Sequence, residues 1–478
     1  MTSAQTPGIR SQGPGARGQK TGVRGQGPGV RGLACILALS LAGGPAAAQQ
    51  AAPAAGRIAY ESYSLPNGLT VVFSQDHTVP VVTVNVWYHS GSANERARRS
   101  GFAHLFEHMM FQGSANVKKS EHMQLVERAG GNMNGSTNND RTNYYETLPS
   151  NRLNLGLWLE ADRMRSLAIT QETFENQRST VKEERRLGVD NQPYAKAMQD
   201  AMTMPFDSTA CFAYAHTVIG DMADLDSARV EDVQAFFHQY YAPNNAVLAV
   251  VGDFDPAEAR RLIQQYYGDI PRVSDPPAAT CEMRFGTGAR RFEVTDNNAN
   301  LPAVAVVYKA PAVSHEDAPA LELLTSILSD GESGRLNLRL VRGERAAMQS
   351  GGFADLRRRA GILMFYGLNN QGIETARVER LLAEELDRVR NDSIPQAELT
   401  KAQNQYRAGA IRQLQTGMGV AETLQNALWY LGSLEAANQD VQRHLAVTTA
   451  DLRRVAQRYL APENRLTVII NPPARGGN

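Results

Sequence analysis

Cysteine is scarce: the 478 residues hold three, Cys35, Cys211 and Cys281, with no CxxC pair and no metal-site spacing among them. A cysteine-built metal site is therefore not expected. Cys211 and Cys281 could form one disulfide in an oxidising compartment or stay free. An excess of either charge is also lacking, with 49 basic and 49 acidic residues. The balance hides an asymmetry, because Arg10, Arg17, Lys20, Arg24 and Arg31 fall in residues 1–48, where there is no acid. The rest keeps 44 bases against 49 acids, a mildly acidic body without the electrostatic footprint of a nucleic-acid binder. No apolar run is long enough to span a bilayer. A glycine-rich phosphate loop and a nucleophile elbow are missing too, which leaves nucleotide and serine-hydrolase chemistry without a carrier.

The first 32 residues are rich in Gly, Arg, Gln and Pro, a composition that builds no packed core. An apolar run, Leu33–Leu41, follows, and then Ala46-Ala47-Ala48-Gln49. A basic segment, a short apolar core and an A-x-A site read as a secretory signal peptide, so the mature chain is expected to begin near Gln49. Cys35 stands at the start of the apolar run, whereas a lipoprotein cysteine would follow it. The expectation is an exported protein without a membrane span, periplasmic in a bacterium or secreted.

The chain is too long for one core, and it is written twice. VVFSQDHTVPVVTVNV at 71–86 is similar to FEVTDNNANLPAVAVV at 292–307, and QYYAPNNAVLAVVG at 239–252 to RYLAPENRLTVIIN at 458–471. Two matches at nearly one offset predict two homologous domains of about 220 residues. Each runs strands, helical stretches, then a closing helix and strand. The fold class is therefore α+β, an antiparallel-rich sheet packed with helices in each domain. The predicted boundaries are 58–268 for the first domain, 269–284 for a linker punctuated by Pro271, Pro276 and Pro277, and 285–473 for the second.

The sharpest chemical signal is His104-Leu105-Phe106-Glu107-His108. Phe102, Leu105, Phe106, Met109 and Met110 surround this segment, so it should be a buried helix, with Ser100 placed to cap its start and Gly113 to end it. His104 and His108, four apart, share one face, and Glu107 lies beside them. Such groups are costly in an apolar helix unless something compensates them, and one zinc ion would compensate all three. H-x-x-E-H is the inverzincin order, with two metal ligands and a general base. The remaining seven histidines show no comparable pairing.

With that motif and the doubled domain, the chain resembles the family of pitrilysin, insulysin and mitochondrial processing peptidase, in which a ligating glutamate follows about 75 residues after the motif. Glu183 and Glu184 fall in that window. Phe174 and Val181, seven apart, mark a buried helix face that Glu184 shares, whereas Glu183 should point to solvent. The expected zinc ligands are His104, His108 and Glu184, one ion per chain. The resemblance also implies that GGNMNGSTNNDRTNYYETLP, residues 130–149, holds an edge strand that pairs with substrate backbone, with Asn134, Gly135 and Ser136 at the substrate positions. It further implies an arginine and a tyrosine, seven apart, from a domain facing the metal. Arg342 fits the arginine, but Gln349 stands where the tyrosine belongs. The sequence also departs from many relatives at Gln177, where they carry a second acid seven before the ligating glutamate.

The function implied is zinc-dependent endopeptidase, cutting peptides or unfolded segments inside a clamshell, with Glu107 as base towards a water activated by the metal. Since Gln349 replaces the tyrosine, a heterodimer with a homologous subunit carrying the Arg/Tyr pair is expected, a homodimer being the alternative. The competing readings are a noncatalytic scaffold and a peptide-binding subunit with structural zinc; structural zinc normally takes four protein ligands.

Overall fold

The computed structural model describes residues 57–285 and 288–474; the predicted signal segment, Cys35 and the expected start near Gln49 lie outside them. Two sheets organise the chain. The first contains β1 (Glu61–Ser64), β2 (Thr70–Gln75), β3 (Val81–Tyr88), β4 (Asn132–Thr137), β5 (Thr142–Pro149) and β6 (Ala246–Gly252). Their order is β1-β2-β6-β3-β5-β4. The second contains β7 (Arg290–Thr295), β8 (Ala303–Ala310), β9 (Ala347–Leu356), β10 (Gly361–Asn369) and β11 (Arg465–Asn471), in the order β7-β11-β8-β10-β9. Apart from β1, the two orders are the same. Each sheet also holds one parallel pair, β2 with β6 and β7 with β11, while its other neighbours are antiparallel. The sequence repeat is thus a structural repeat.

Strands β6 and β8 are buried along their whole length, which requires cover on both faces. One face of β6, with Leu248 and Val250, joins the core of its own half. The other presents Ala249 and Val251 to Ala421, on the helix Gly417–Leu431 of the second half. The second sheet receives the converse cover: Ala303, Ala305 and Val307 of β8 pack with Ala197 and Ala201, on the helix Ala195–Thr203 of the first half. The halves are therefore interlocked rather than beads on a linker.

Residues 271–285 form no helix or strand, yet they are tied down. Asn244 donates to the Val273 carbonyl at 3.0 Å, the Glu282 amide donates to the Ala210 carbonyl at 2.9 Å, and Cys281 is joined to Cys211 as a disulfide. The sequence left that pairing open because two cysteines 70 residues apart carry no pairing signal. Among the described residues no helix is long and apolar enough to cross a membrane.

Candidate metal centre

Helix α1 (Phe102–Met109) carries the motif. Its apolar residues Phe102, Leu105, Phe106 and Met109 are buried in the first core, where Phe106 stacks on Phe237. The helix is thus anchored on three sides, and its remaining face holds His104 and His108. Its start differs from expectation. The N-cap is Gly101, at a left-handed φ of 84° that suits glycine. The orphan N–H groups of Gly101 and Ala103 are taken by the Glu95 carboxylate at 2.9 and 2.7 Å. Ser100 instead binds Asp224. A carboxylate six residues upstream outcompetes the local hydroxyl because it accepts two donors at the positive helix end.

Along the chain follow α2 (Glu121–Arg128), α3 (Leu153–Ser166) and α4 (Gln171–Arg185). Helix α4 begins on a Thr170–Thr173 capping box and packs across α1 through buried Phe174 and Val181. That face brings Glu184 opposite the imidazoles. Oε2 lies 3.3 Å from His108 Nε2 and Oε1 3.7 Å from His104 Nε2. The two rings stand 4.8 Å apart at 82°. Tetrahedral coordination with ligand bonds of ~2.0–2.2 Å puts ligand atoms roughly 3.3–3.6 Å from one another, so the trio has the donor set of a zinc site and Glu184 stands near the spacing such a site needs. Glu184 differs from expectation in one respect: its side chain is 48% exposed, because the shared helix face opens into a cavity at this turn instead of closing on the core. Glu183 points away and pairs with Arg186 at 3.1 Å.

The cavity has a volume of about 470 Å³, and its walls include His104, Glu107, Gly135, Ser136, Thr137 and Glu184. Burial raises the Glu107 carboxyl pKa, and a hydrogen bond from Thr137 with the charges of His108 and Arg141 partly offsets this. Burial lowers His104 to about 4, helped by His108 and opposed by Glu184; a neutral imidazole is the metal-binding form. Its Nδ1 is buried without a hydrogen-bond partner. Gln177 contacts its neighbour Asn176 at 2.8 Å.

Strand β4 is the edge of the first sheet, bonded only to β5, and it packs on α1. Gly135 and Ser136 lie in the cavity wall, but Asn134 does not: its carboxamide oxygen accepts from the Gly135 amide at 2.8 Å. The Asn134 carboxamide folds back onto its own strand instead of reaching into the cavity. Arg342 is also absent from the wall. It sits exposed in the turn Asn337–Gly343, paired to Glu332, and Gln349 donates to the Tyr366 hydroxyl at 3.3 Å. A seven-residue spacing could place Arg342 in the sequence, but it could not show which way that turn faces. Among the wall residues that the sequence did not single out are Thr137, His216 and Arg357. Thr137 was within reach, since it is two residues from Gly135 on one strand.

A second group, His122, Glu146 and Glu160, also brings possible ligand atoms together. It is fully buried and already holds a cation: Arg163 donates to both oxygens of Glu160 and lies 4.4 Å over the Tyr144 ring. His122 Nε2 is 2.6 Å from Glu146. Burial pushes Glu146 up to about 7 and Glu160 up to about 8, and it pulls His122 down to about 3. One guanidinium balances one carboxylate, so the other keeps a proton. The proton kept by the pair gives it a folded pKa above the unfolded 4.5, so its stability contribution is present at low pH and is lost as pH rises through 7–8. His122 acts in the opposite sense, but only below its unfolded 6.5. The urea midpoint is therefore expected to fall between pH 6.5 and 8.5, and Glu146→Gln to flatten that fall. Equal slopes in the two proteins would refute this proton assignment.

The comparisons with known proteins agree with one another. Residues 70–208 match the model described as insulinase (peptidase family M16), and residues 227–406 match the peptidase M16 inactive domain. A curated zinc protease of Helicobacter pylori, PqqE, is 30% identical over 418 residues, covering 86% of this chain and 93% of that protein. The crystal structure of a protease from Helicobacter pylori superposes with a TM-score of 0.81 at 30% identity, over 87% of this chain and all of that one. The periplasmic protease PqqL of Escherichia coli shares the fold at a TM-score of 0.69 and 20% identity, over 86% of this chain and 47% of that one.

Proposed function

This chain belongs to the M16 peptidase family, and from that premise we propose that it is a zinc-dependent endopeptidase acting on peptides or unfolded segments. The observation that carries the reading is the convergence of two imidazoles and a carboxylate within 4.8 Å, with Glu107 in the same cavity wall. Curated relatives bear the name zinc protease, which supports zinc as the ion. Among the described residues this cluster offers three ligands, the count of a catalytic site with an open position; structural sites take four. Zinc, when bound, would polarise a scissile carbonyl and acidify a water.

The rest falls to the chain's own residues. His104, His108 and Glu184 would hold the ion. The free edge of β4 would bind the peptide main chain through its outward N–H and C=O groups, the Asn134 carboxamide releasing the Gly135 amide, which gives affinity with little side-chain selectivity. Glu107 would take a proton from the attacking water and deliver one to the departing amine. The deciding experiment incubates purified protein with an unfolded peptide library and sequences the products, with and without chelator. Chelator-insensitive cleavage, or no cleavage under any pairing of subunits, would defeat the reading.

Two further parts of the proposal concern context. The chain is proposed to be exported, on its predicted signal peptide and its Cys211–Cys281 disulfide. N-terminal sequencing from the native host should start near Gln49, and an intact leader in the cytoplasm would oppose it. The chain is also proposed to work with a homologous subunit. Among the described residues no tyrosine lines the cavity, and Arg342 points elsewhere, so the carbonyl-holding pair would come from a partner. A related chain lacking H-x-x-E-H but keeping Arg and Tyr seven apart should raise kcat/KM at least ~100-fold, the scale of losing one oxyanion donor. Full activity from the isolated chain, unchanged by the partner, would exclude the heterodimer.

A further inference from the structure

The two ligand-bearing helices come from distant parts of the chain, and a third segment touches both. Residues His216 to Asp224 run past the start of α1 and the end of α4, and His216 and Ile219 also line the cavity. At α1 the attachment is dense. Ser100 donates its amide and hydroxyl to Asp224 at 3.0 and 2.5 Å, and its hydroxyl accepts from the Asp221 amide at 2.9 Å. A Cβ on Gly220 would stand 2.3 Å from the Gly101 nitrogen, so the two backbones meet where no side chain fits. At α4, Arg185, the residue after Glu184, is buried and donates to the Gly220 carbonyl. Gly220 therefore lies against the first turn of α1 while being held by the last turn of α4.

His216 fixes the beginning of the segment. Its Nδ1 lies 2.8 Å from the Phe212 carbonyl, and its Nε2 lies 3.0 Å from both the Ser92 carbonyl and Glu95. Both ring nitrogens face acceptors only, so both carry protons and the ring is an imidazolium. Its ion pair with Glu95 is buried, and that same carboxylate receives the Gly101 and Ala103 amides, three residues and one residue before His104.

We propose that the segment His216–Asp224 is a positioning clasp that sets the spacing between α1 and α4, and so between His104, His108 and Glu184. The proposal rests on the reading of those three residues as zinc ligands. None of the clasp residues belongs to the group that would hold the ion. They act through the two helices, as outer-shell groups orient ligands in other metal sites. Closure of the site would then depend on backbone contacts that no ligand motif contains.

The test uses the full chain and measures zinc affinity by competition with a chelator, alongside kcat and KM at saturating zinc. Ser100→Ala removes two hydrogen bonds and leaves the backbone and the buried charges alone. Gly220→Ala forces Gly101 and Gly220 apart. Each should weaken zinc binding by ~10–100-fold and lower kcat more than KM, with a folded circular dichroism spectrum. If Gly220→Ala does not fold, Ser100→Ala carries the test. A Ser100→Ala protein that melts lower yet takes zinc as tightly as wild type would show a purely structural segment and overturn the clasp. Wild-type protein that takes no zinc would instead strike down the functional reading beneath it, so the two failures are distinguishable.

Discussion

Glu107→Gln is expected to abolish peptide hydrolysis while leaving zinc bound. Glu107 lies in the cavity wall but outside the group of atoms that could hold the ion. An amide keeps the shape of the carboxylate and can still accept a hydrogen bond from Thr137, but it cannot take a proton from water. Loss of a general base alone removes about 10²–10⁴ in rate, so kcat should fall by at least that factor. Burial raises the carboxyl pKa of Glu107, which means the folded protein bears a cost for keeping the group ionised there. A neutral glutamine relieves that cost, so the melting temperature should hold or rise slightly. Metal analysis and thermal melting, run beside a peptide assay, separate the possibilities. An inactive variant that has also lost its zinc would make Glu107 a ligand and would require a different base.

The doubled architecture was legible because strands and turns repeat at offsets of 221 and 219, and the two sheets have matching strand orders. The burial of α1 was legible because its apolar residues leave only one face for His104 and His108. Seven-residue spacing separated the Glu184 side of α4 from the Glu183 side. Contacts between residues far apart in the chain were not legible. The segment AVLAVVG at 246–252 announces a strand buried on both faces, but nothing in it says that Ala421 of the other half covers one of them. Ser100 is a sound local cap. It yields to Glu95 only because His216, 121 residues on, holds that carboxylate in place. Arg342 failed for a related reason: its chain position was readable, but the packing of its segment, with Leu340 buried in the second core, leaves Arg342 exposed beside Glu332. Local periodicity specifies which face of an element is buried, and tertiary partners decide what that face meets.

Substitution of the ligands gives the second large effect, and it tests the choice between neighbours on α4. His104→Ala, His108→Ala and Glu184→Gln should each lose zinc, with an affinity loss exceeding the roughly 10–100-fold that follows removal of an outer-shell partner. Glu184→Gln is the most informative of the three. It retains the volume and hydrogen-bonding capacity of the side chain but removes the charge that faces both imidazoles at 3.3 and 3.7 Å. Without the ion, that carboxylate is also the group that favours protonation of His104, so the variant should show no structural damage beyond the site. Glu183→Gln is the matched control. Its partner is Arg186, three residues on along the helix surface, with both side chains more than half exposed. Such pairs contribute about 0–1 kcal/mol, so Glu183→Gln should keep wild-type zinc content, activity and melting temperature. Should Glu183→Gln strip the metal while Glu184→Gln retains it, the helix would have to present a different face in solution, and the assignment of the third ligand would move by one residue.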